Sequence, residues 1–160
     1  LIGTVGVLAL LAAGGYFWHS YQLPRIATAF LARADELGGK SDWRGAADYV
    51  FRYLQLRPDD DAARVRLARD FDRSVTTAAS RARAIDLYYQ ALGVAPDTER
   101  RELRRRLAEL LLQQRRFVEA EKEARLLIGT DPQDAGARRT LALAMYGQFR
   151  AGQLAEQLPH

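Results

Sequence analysis

One helical pattern, repeated along the chain and closed each time by a proline, constrains the fold more than any other feature. Its first copy runs from Trp43 to Pro58. Residues at i, i+4 and i+7 lie on one face of an α-helix, because the helix turns once every 3.6 residues. Pro58 disfavours the helical conformation of the residue before it, so the helix is predicted to end at Arg57. The apolar positions of this copy follow the helical spacing: Ala46, Val50, Tyr53 and Leu54.

The same pattern occurs twice more. The second copy comprises Ala84, Tyr88, Ala91, Leu92 and Pro96, and the third comprises Ala120, Ala124, Leu127, Ile128 and Pro132. The closing prolines are therefore separated by 38 and then by 36 residues. A fixed period of about 20 to 50 residues is typical of repeat proteins, in which each unit buries its apolar face against its neighbours.

A second motif precedes these copies, a Leu-Ala pair followed three residues later by a large apolar residue. The matches are Leu67-Ala68-Phe71, Leu107-Ala108-Leu111 and Leu141-Ala142-Met145, whereas the first unit matches only at Ala34 and Leu37, with Phe30 and Leu31 nearby. Over Pro24 to Gln153, the two motifs together resemble the tetratricopeptide repeat (TPR), whose period is about 34 residues.

The resemblance implies an all-α fold, in which helix–turn–helix units stack into a right-handed α-solenoid with a concave surface. We predict a TPR domain over residues 24–160, with units at 24–60, 61–98 and 99–134 and an incomplete unit at 135–160. In the second unit, 13 positions separate Phe71 from Ala84, where the first and third units have nine. We assign the four additional residues to a longer loop within Arg73 to Ser80, suited to partner contact.

The N-terminal segment differs from the rest of the chain. No charged side chain occurs from Leu1 to Trp18, and aromatic residues gather at its end. About 20 apolar residues span the hydrocarbon core, and aromatic rings favour the headgroup level, so residues 1–22 are predicted to form a transmembrane anchor helix. A cleaved signal peptide and a buried core helix are the alternatives. One stripe of small residues suits close packing on a partner's helix: Gly3, Gly6, Ala9 and Ala13.

In TPR arrays the first helices of the units line the concave surface. The positions expected there carry mainly arginine, with apolar and aromatic residues between: Val65, Arg69, Asp72, Arg73, Arg105, Glu109, Arg139, Leu143 and Tyr146. Guanidinium groups suit an acidic or C-terminal peptide, and the anionic membrane surface is a second candidate ligand. We predict the partner-binding residues Arg69, Arg73, Arg105, Arg139 and Tyr146.

The two-carboxylate clamp of some TPR proteins is not matched. Its five positions correspond here to Leu31, Asp35, Arg66, Glu102 and Arg106, and only the last keeps the clamp residue. Nucleic acid is not a predicted partner either. The net charge is +4, but the 20 acidic residues are interspersed among the 24 basic ones and no aromatic platform accompanies the basic run.

Catalytic and metal chemistry find no support in the sequence. The two histidines, His19 and His160, lie near opposite ends of the chain, and there is no cysteine, so no nucleophile–base arrangement can be assembled. We interpret Asp59-Asp60-Asp61 as a helix-capping turn, since negative charge is favoured at a helix N-terminus. The sequence predicts no enzyme, no cofactor and no metal site.

The resemblance to N-terminally anchored bacterial TPR proteins predicts a single-pass inner-membrane protein with its TPR domain on the periplasmic side. We expect a scaffold that mediates protein–protein interaction or the assembly of a membrane or envelope complex. Its partners would be other proteins, including membrane-embedded subunits, and the lipid bilayer. The alternative is a constitutive structural subunit of a large respiratory or photosynthetic complex. An enzyme whose catalytic domain follows His160 also stays open.

Overall fold

The computed structural model describes residues 25–156, with side chains through residue 153. Within this range the chain forms seven α-helices and no β-strand: α1 (25–39), α2 (Trp43–Leu56), α3 (Asp61–Arg73), α4 (Ala78–Val94), α5 (Asp97–Gln113), α6 (Phe117–Thr130) and α7 (Ala135–Glu156). The predicted all-α class is confirmed. No helix in this range has both the length and the apolar character that crossing a bilayer requires. The predicted anchor at residues 1–22, with its small-residue stripe, lies outside the described residues.

The chain divides into two compact units, Leu1–Asp60 and Asp61–His160. In the described part of the first unit, α1 and α2 are joined by a three-residue turn in which Ser41 has a φ of 60°. The Asp42 side chain accepts a hydrogen bond from the Gly45 N–H at 2.9 Å and caps α2. A Cβ atom at Gly45 would lie 2.6 Å from the Asp42 carboxylate. This cap therefore requires glycine at position 45.

The end of α2 also follows the prediction. Its last residue is Leu56, and Arg57 has left the helical conformation, with a φ of −134°, immediately before Pro58. The Tyr53 hydroxyl donates a hydrogen bond of 2.6 Å to the Asp60 carboxylate, which holds the turn after the proline against the end of the helix.

In the second unit, each helix from α3 to α7 packs on the next in sequence, and α5 also contacts α7. The small positions of the repeated pattern are fully buried, so neighbouring helices approach closely there: Ala84, Ala91, Ala120 and Ala124. The largest buried side chains fill the space between them: Ile85, Leu103, Leu107, Leu110, Leu111 and Leu127. The two predicted motifs therefore supply part of the core of this unit, and Ile85, Leu103 and Leu110 complete it. The exact limits of the repeats stay a prediction.

The four additional residues of the second repeat, predicted at 61–98, mostly lengthen a helix. The linker between α3 and α4 has four residues, against three in the α1–α2 and α5–α6 linkers, whereas α4 has 17 residues and α2 and α6 have 14. Thr77 and Ser80 form a capping box, in which each side chain accepts from the other residue's N–H at 3.1 and 3.0 Å. The loop predicted within Arg73 to Ser80 is thus longer by one residue only, because its hydroxyl side chains start a helix.

Candidate protein-binding groove

A cavity of about 300 Å³ opens between α3 and α5 in the second unit. Its buried base includes Tyr88 of α4 and Leu103 of α5. Its walls are charged: Arg69, Asp72 and Arg73 of α3, and Glu102, Arg105, Arg106 and Glu109 of α5. The structure thus places three of the predicted binding residues around one cavity, namely Arg69, Arg73 and Arg105.

An ion pair between Asp72 and Arg106 joins the two walls of this cavity. The guanidinium donates two hydrogen bonds to the carboxylate, of 2.6 Å from Nε and 3.0 Å from Nη2, and a third of 2.9 Å to Glu109. The Tyr88 hydroxyl donates to Asp72 at 3.1 Å. Burial, with the charge of Asp72 beside it, raises the pKa of Tyr88, so this hydroxyl stays a donor at neutral pH. Arg106, the single match to the carboxylate clamp, is therefore engaged within the protein.

Arg69 and Arg73 lie one helical turn apart on α3 and have different surroundings. Arg69 reaches α5, with Nη1 at 2.9 Å from the Glu99 carboxylate and Nη2 at 3.5 Å from Glu102. Arg73 has its guanidinium 3.8 Å from the Asp70 carboxylate, and its side chain is 54% exposed. Of the two, Arg73 is thus the more accessible to a ligand in the groove.

Arg105 links the cavity to the start of α7. Its Nη2 atom lies 2.7 Å from the Asp134 carboxylate, which also accepts from Arg101 at 3.2 Å. The other oxygen of Asp134 accepts from the Ala137 N–H at 3.0 Å and caps α7. The hydrogen bond from Arg105, followed by that from the Ala137 N–H, holds the pKa of Asp134 well below its ordinary value. Arg105 therefore has a structural contact in addition to its place on the cavity wall.

The other two predicted binding residues lie apart from Arg69, Arg73 and Arg105. Arg139 and Tyr146 are exposed on α7 and do not line the cavity. Val65 is only 3% exposed and lines a second cavity of about 270 Å³, which shares Arg69 and Arg73 with the first. The TPR resemblance predicts Asp72 and Glu109 on the concave surface but does not indicate that Asp72, Tyr88 and Arg106 form one network. The signal available was an acid and an arginine 34 residues apart, on the first helices of consecutive units.

Two solved structures have this arrangement of helices. The MamA RS-1 ArsTM double mutant superposes with a TM-score of 0.64 over 78% of this chain and 67% of its own, at 16% sequence identity. The Arabidopsis OM64 TPR domain superposes with a TM-score of 0.55 over 74% of this chain and 93% of its own, at 14% identity. The fold is that of a tetratricopeptide repeat protein.

The structural comparison confirms the resemblance at the level of the fold. No protein-family model matches the chain, and no curated protein matches its sequence. At 16% and 14% identity the likeness shows the fold and does not carry over the residues of a binding site.

Proposed function

We propose that this chain is a membrane-anchored TPR scaffold, whose groove between α3 and α5 holds an extended segment of a partner protein during assembly of a membrane or envelope complex. The observation that carries the proposal is the cavity of about 300 Å³, walled by charged side chains from the first helices of neighbouring units. Residues 1–22 would anchor the scaffold in a bacterial inner membrane, with the TPR domain on the periplasmic side.

The lining favours a partner segment that carries both signs of charge. Exposed groups of both signs border the cavity, since the side chain of Arg73 is 54% exposed and that of Glu102 is 73% exposed. A purely acidic peptide would meet the carboxylates of Glu102 and Glu109 as well as the arginines. A segment with an acidic residue near Arg73 and a basic residue near Glu102 would form charge-assisted hydrogen bonds to each wall.

The first test is purification in mild detergent, followed by mass spectrometry of the proteins that remain bound through gel filtration and a salt wash. Soluble partners that are substoichiometric and released by salt would support recruitment through the groove, because contacts between exposed charges are screened by salt. If the protein is purified from the membrane fraction at low salt and still elutes alone, the result would count against the scaffold.

The second test is the Arg73→Glu variant. Arg73 is preferable to Arg69 and Arg105 because its side chain is the most exposed of the three, at 54% against 33% and 42%. A matched control is Arg125→Glu, which makes the same charge change at an exposed arginine of α6 whose partner, Glu121, lies on the same helix. Loss of the salt-sensitive partners from the first variant alone would place them in the groove. Equal loss from both variants would show a general charge effect.

The alternative role, a constitutive subunit of a large membrane complex, is favoured by one observation. Large apolar side chains are exposed on α7, and permanent interfaces are more apolar than transient ones. A stoichiometric set of membrane proteins that survives the salt wash would support this role. Face-dependent crosslinking of cysteines introduced at Gly3, Gly6, Ala9 and Ala13 would then locate the contact on the anchor.

A further inference from the structure

We propose that the groove between α3 and α5 has a second subsite, which binds one large apolar side chain of the extended partner segment. The subsite is the second cavity, of about 270 Å³, which shares Arg69 and Arg73 with the first cavity, of about 300 Å³. Given the proposed function of the groove, on which this inference rests, the segment would place its charged residues in the first cavity. Its apolar residue, about three positions away along an extended chain, would enter the second.

The two cavities follow one another along a gap between α3 and α5. This gap exists because α5 packs more closely against α7 than against α3. The second cavity is lined by α3 and by Pro96 and Glu99 at the start of α5, whereas the α5 lining of the first extends from Glu102 to Glu109. Arg69 and Arg73 of α3 line both cavities. One extended segment can therefore contact the two cavities at once.

The distance between the cavities sets the spacing of residues in the partner segment. From the second cavity to the first, the midpoint of the lining moves by about four residues along α3 and about eight along α5, which correspond to about 6 and 12 Å of helix. An extended chain advances about 3.3 Å per residue and covers such a distance in about two to four residues. The apolar residue and the charged residues of the segment are therefore about three positions apart.

The charged side chains around the second cavity are paired with one another. The buried carboxylate of Asp70 lies 3.1 Å from Nε of Arg66 and 3.8 Å from the Arg73 guanidinium, and Arg69 lies 2.9 Å from Glu99. The lining carries three arginines and three acidic residues, so its net charge is zero. A charged side chain that entered this cavity would have to disrupt one of these pairs, whereas an uncharged one would leave them intact.

The rest of the lining of the second cavity is apolar and small. It consists of Ala62, Val65 and Pro96. Val65 is buried, so the core fixes its position, whereas Ala62 and Pro96 are exposed. The aliphatic stems of the surrounding arginines can cover apolar surface while their guanidinium groups stay in water. A large apolar side chain that enters the cavity therefore removes apolar surface from water on both sides of the contact, which favours binding.

The experiment selects the partner chemistry without a known partner. A random peptide library displayed on phage is panned against the full protein in mild detergent at low salt, where contacts between charges are least screened. We expect the enriched peptides to carry a large apolar residue about three positions from an acidic residue. Changing that apolar residue to serine in a synthetic copy of an enriched peptide should weaken its binding by at least about tenfold.

Two protein variants test whether the apolar residue enters the second cavity. Ala62→Gln fills part of the cavity with a polar side chain at unchanged net charge, and it should weaken binding of the enriched peptide by at least about tenfold. Ala82→Gln makes the same change at an exposed alanine of α4 that lines neither cavity, and it should leave binding unchanged. The serine-substituted peptide should bind Ala62→Gln and wild type about equally, because the contact is already lost. Circular dichroism checks that both variants remain folded.

The Arg73→Glu variant separates failure of the second subsite from failure of the groove. If Arg73→Glu abolishes peptide binding and Ala62→Gln leaves it unchanged, the second subsite is refuted and the groove stands. Enriched peptides without an apolar residue at a constant spacing from their acidic residue would lead to the same conclusion. If neither variant weakens binding, or if no peptide is enriched over panning on detergent micelles alone, both the subsite and the proposed groove are refuted.

Discussion

The helices α5 and α7 carry the same motif in two different environments. α5 lies between neighbours, and Leu103, Leu107 and Leu111 are all at most 1% exposed. α7 is buried along Ala137, Thr140, Ala144 and Gly147, and Met145 stands half exposed at the position that repeats Leu111. The motif therefore specifies a helix with two apolar sides, but each side is buried only where another helix is present to meet it.

The largest expected contrast comes from truncating the equivalent residues Leu111 and Met145. Leu111→Ala should lower the free energy of unfolding by about 2–5 kcal/mol, because it opens a cavity in a fully packed core. Met145→Ala should change it by no more than about 0.5 kcal/mol, as is usual for exposed positions. Urea titration monitored by circular dichroism measures both. Similar losses from the two variants would mean that Met145 is buried in the protein.

The packed side of α7 is tested at Gly147. A Cβ atom at this position would overlap the ring of Phe117 on α6, so Gly147→Ala should cost about 1–3 kcal/mol through overpacking. Gly152→Ala, on the same helix but with open space around it, should stabilise the protein by up to about 1 kcal/mol, because alanine is the better helix former. Thermal unfolding of the two variants should shift in opposite directions. A neutral Gly147→Ala would contradict the close contact of α6 with α7.

The equivalent arginines give a comparison of charges. Arg104→Ala leaves the buried carboxylate of Glu123 without this partner and should cost about 1–3 kcal/mol. Arg138→Ala removes only hydrogen bonds to the turn before α7, to the Pro132 carbonyl and the Gln133 side chain, and should cost about 0.5 kcal/mol or less. The same urea titration distinguishes them. A loss from Arg138→Ala as large as that from Arg104→Ala would show that the Arg138 guanidinium already has a carboxylate partner.

The smallest expected effect depends on pH and concerns the contact that joins α5 to α7. Because the pKa of Asp134 is lowered in the folded state, its contribution to stability is present above the unfolded pKa of about 4 and is lost as the pH falls through the folded value. Asp134→Asn keeps a side chain that can cap α7 but loses the charge-assisted hydrogen bonds from Arg105 and Arg101, so it should cost about 1 kcal/mol at pH 7 and progressively less below pH 4. A difference between wild type and variant that stays constant from pH 7 to pH 3 would rule out the ionised cap.

Local features of the fold could be predicted from the sequence because their causes lie within a few residues. The end of α2 follows from Pro58, which restricts Arg57, and its start follows from the carboxylate of Asp42. The same local rule explains why the linker between α3 and α4 is longer by one residue rather than by four. Thr77 and Ser80 were assigned to a loop by composition, but their mutual hydrogen bonds begin a helix.

The candidate site was less predictable because its contacts are distant in sequence. The TPR resemblance, which places the first helices on the concave surface, was sufficient to gather Arg69, Arg73 and Arg105 near one cavity. It did not indicate which acid would engage each arginine, since the Asp72–Arg106 and Arg105–Asp134 pairs join residues 34 and 29 positions apart. Nor did it separate Arg139 and Tyr146 from the cavity, because their position depends on how α7 packs against α5 and α6.

The shared carboxylate of Asp134 has a consequence for the order of folding. Its two oxygens hold the first turn of α7 and the guanidinium of Arg105 at the same time, so the start of α7 gains its full stability only after α5 has formed. Nucleating a helical turn is costly in isolation, and this contact offsets part of that cost from outside the helix. We therefore expect α7 to open before α5, with backbone amides that exchange with solvent faster than those of α5.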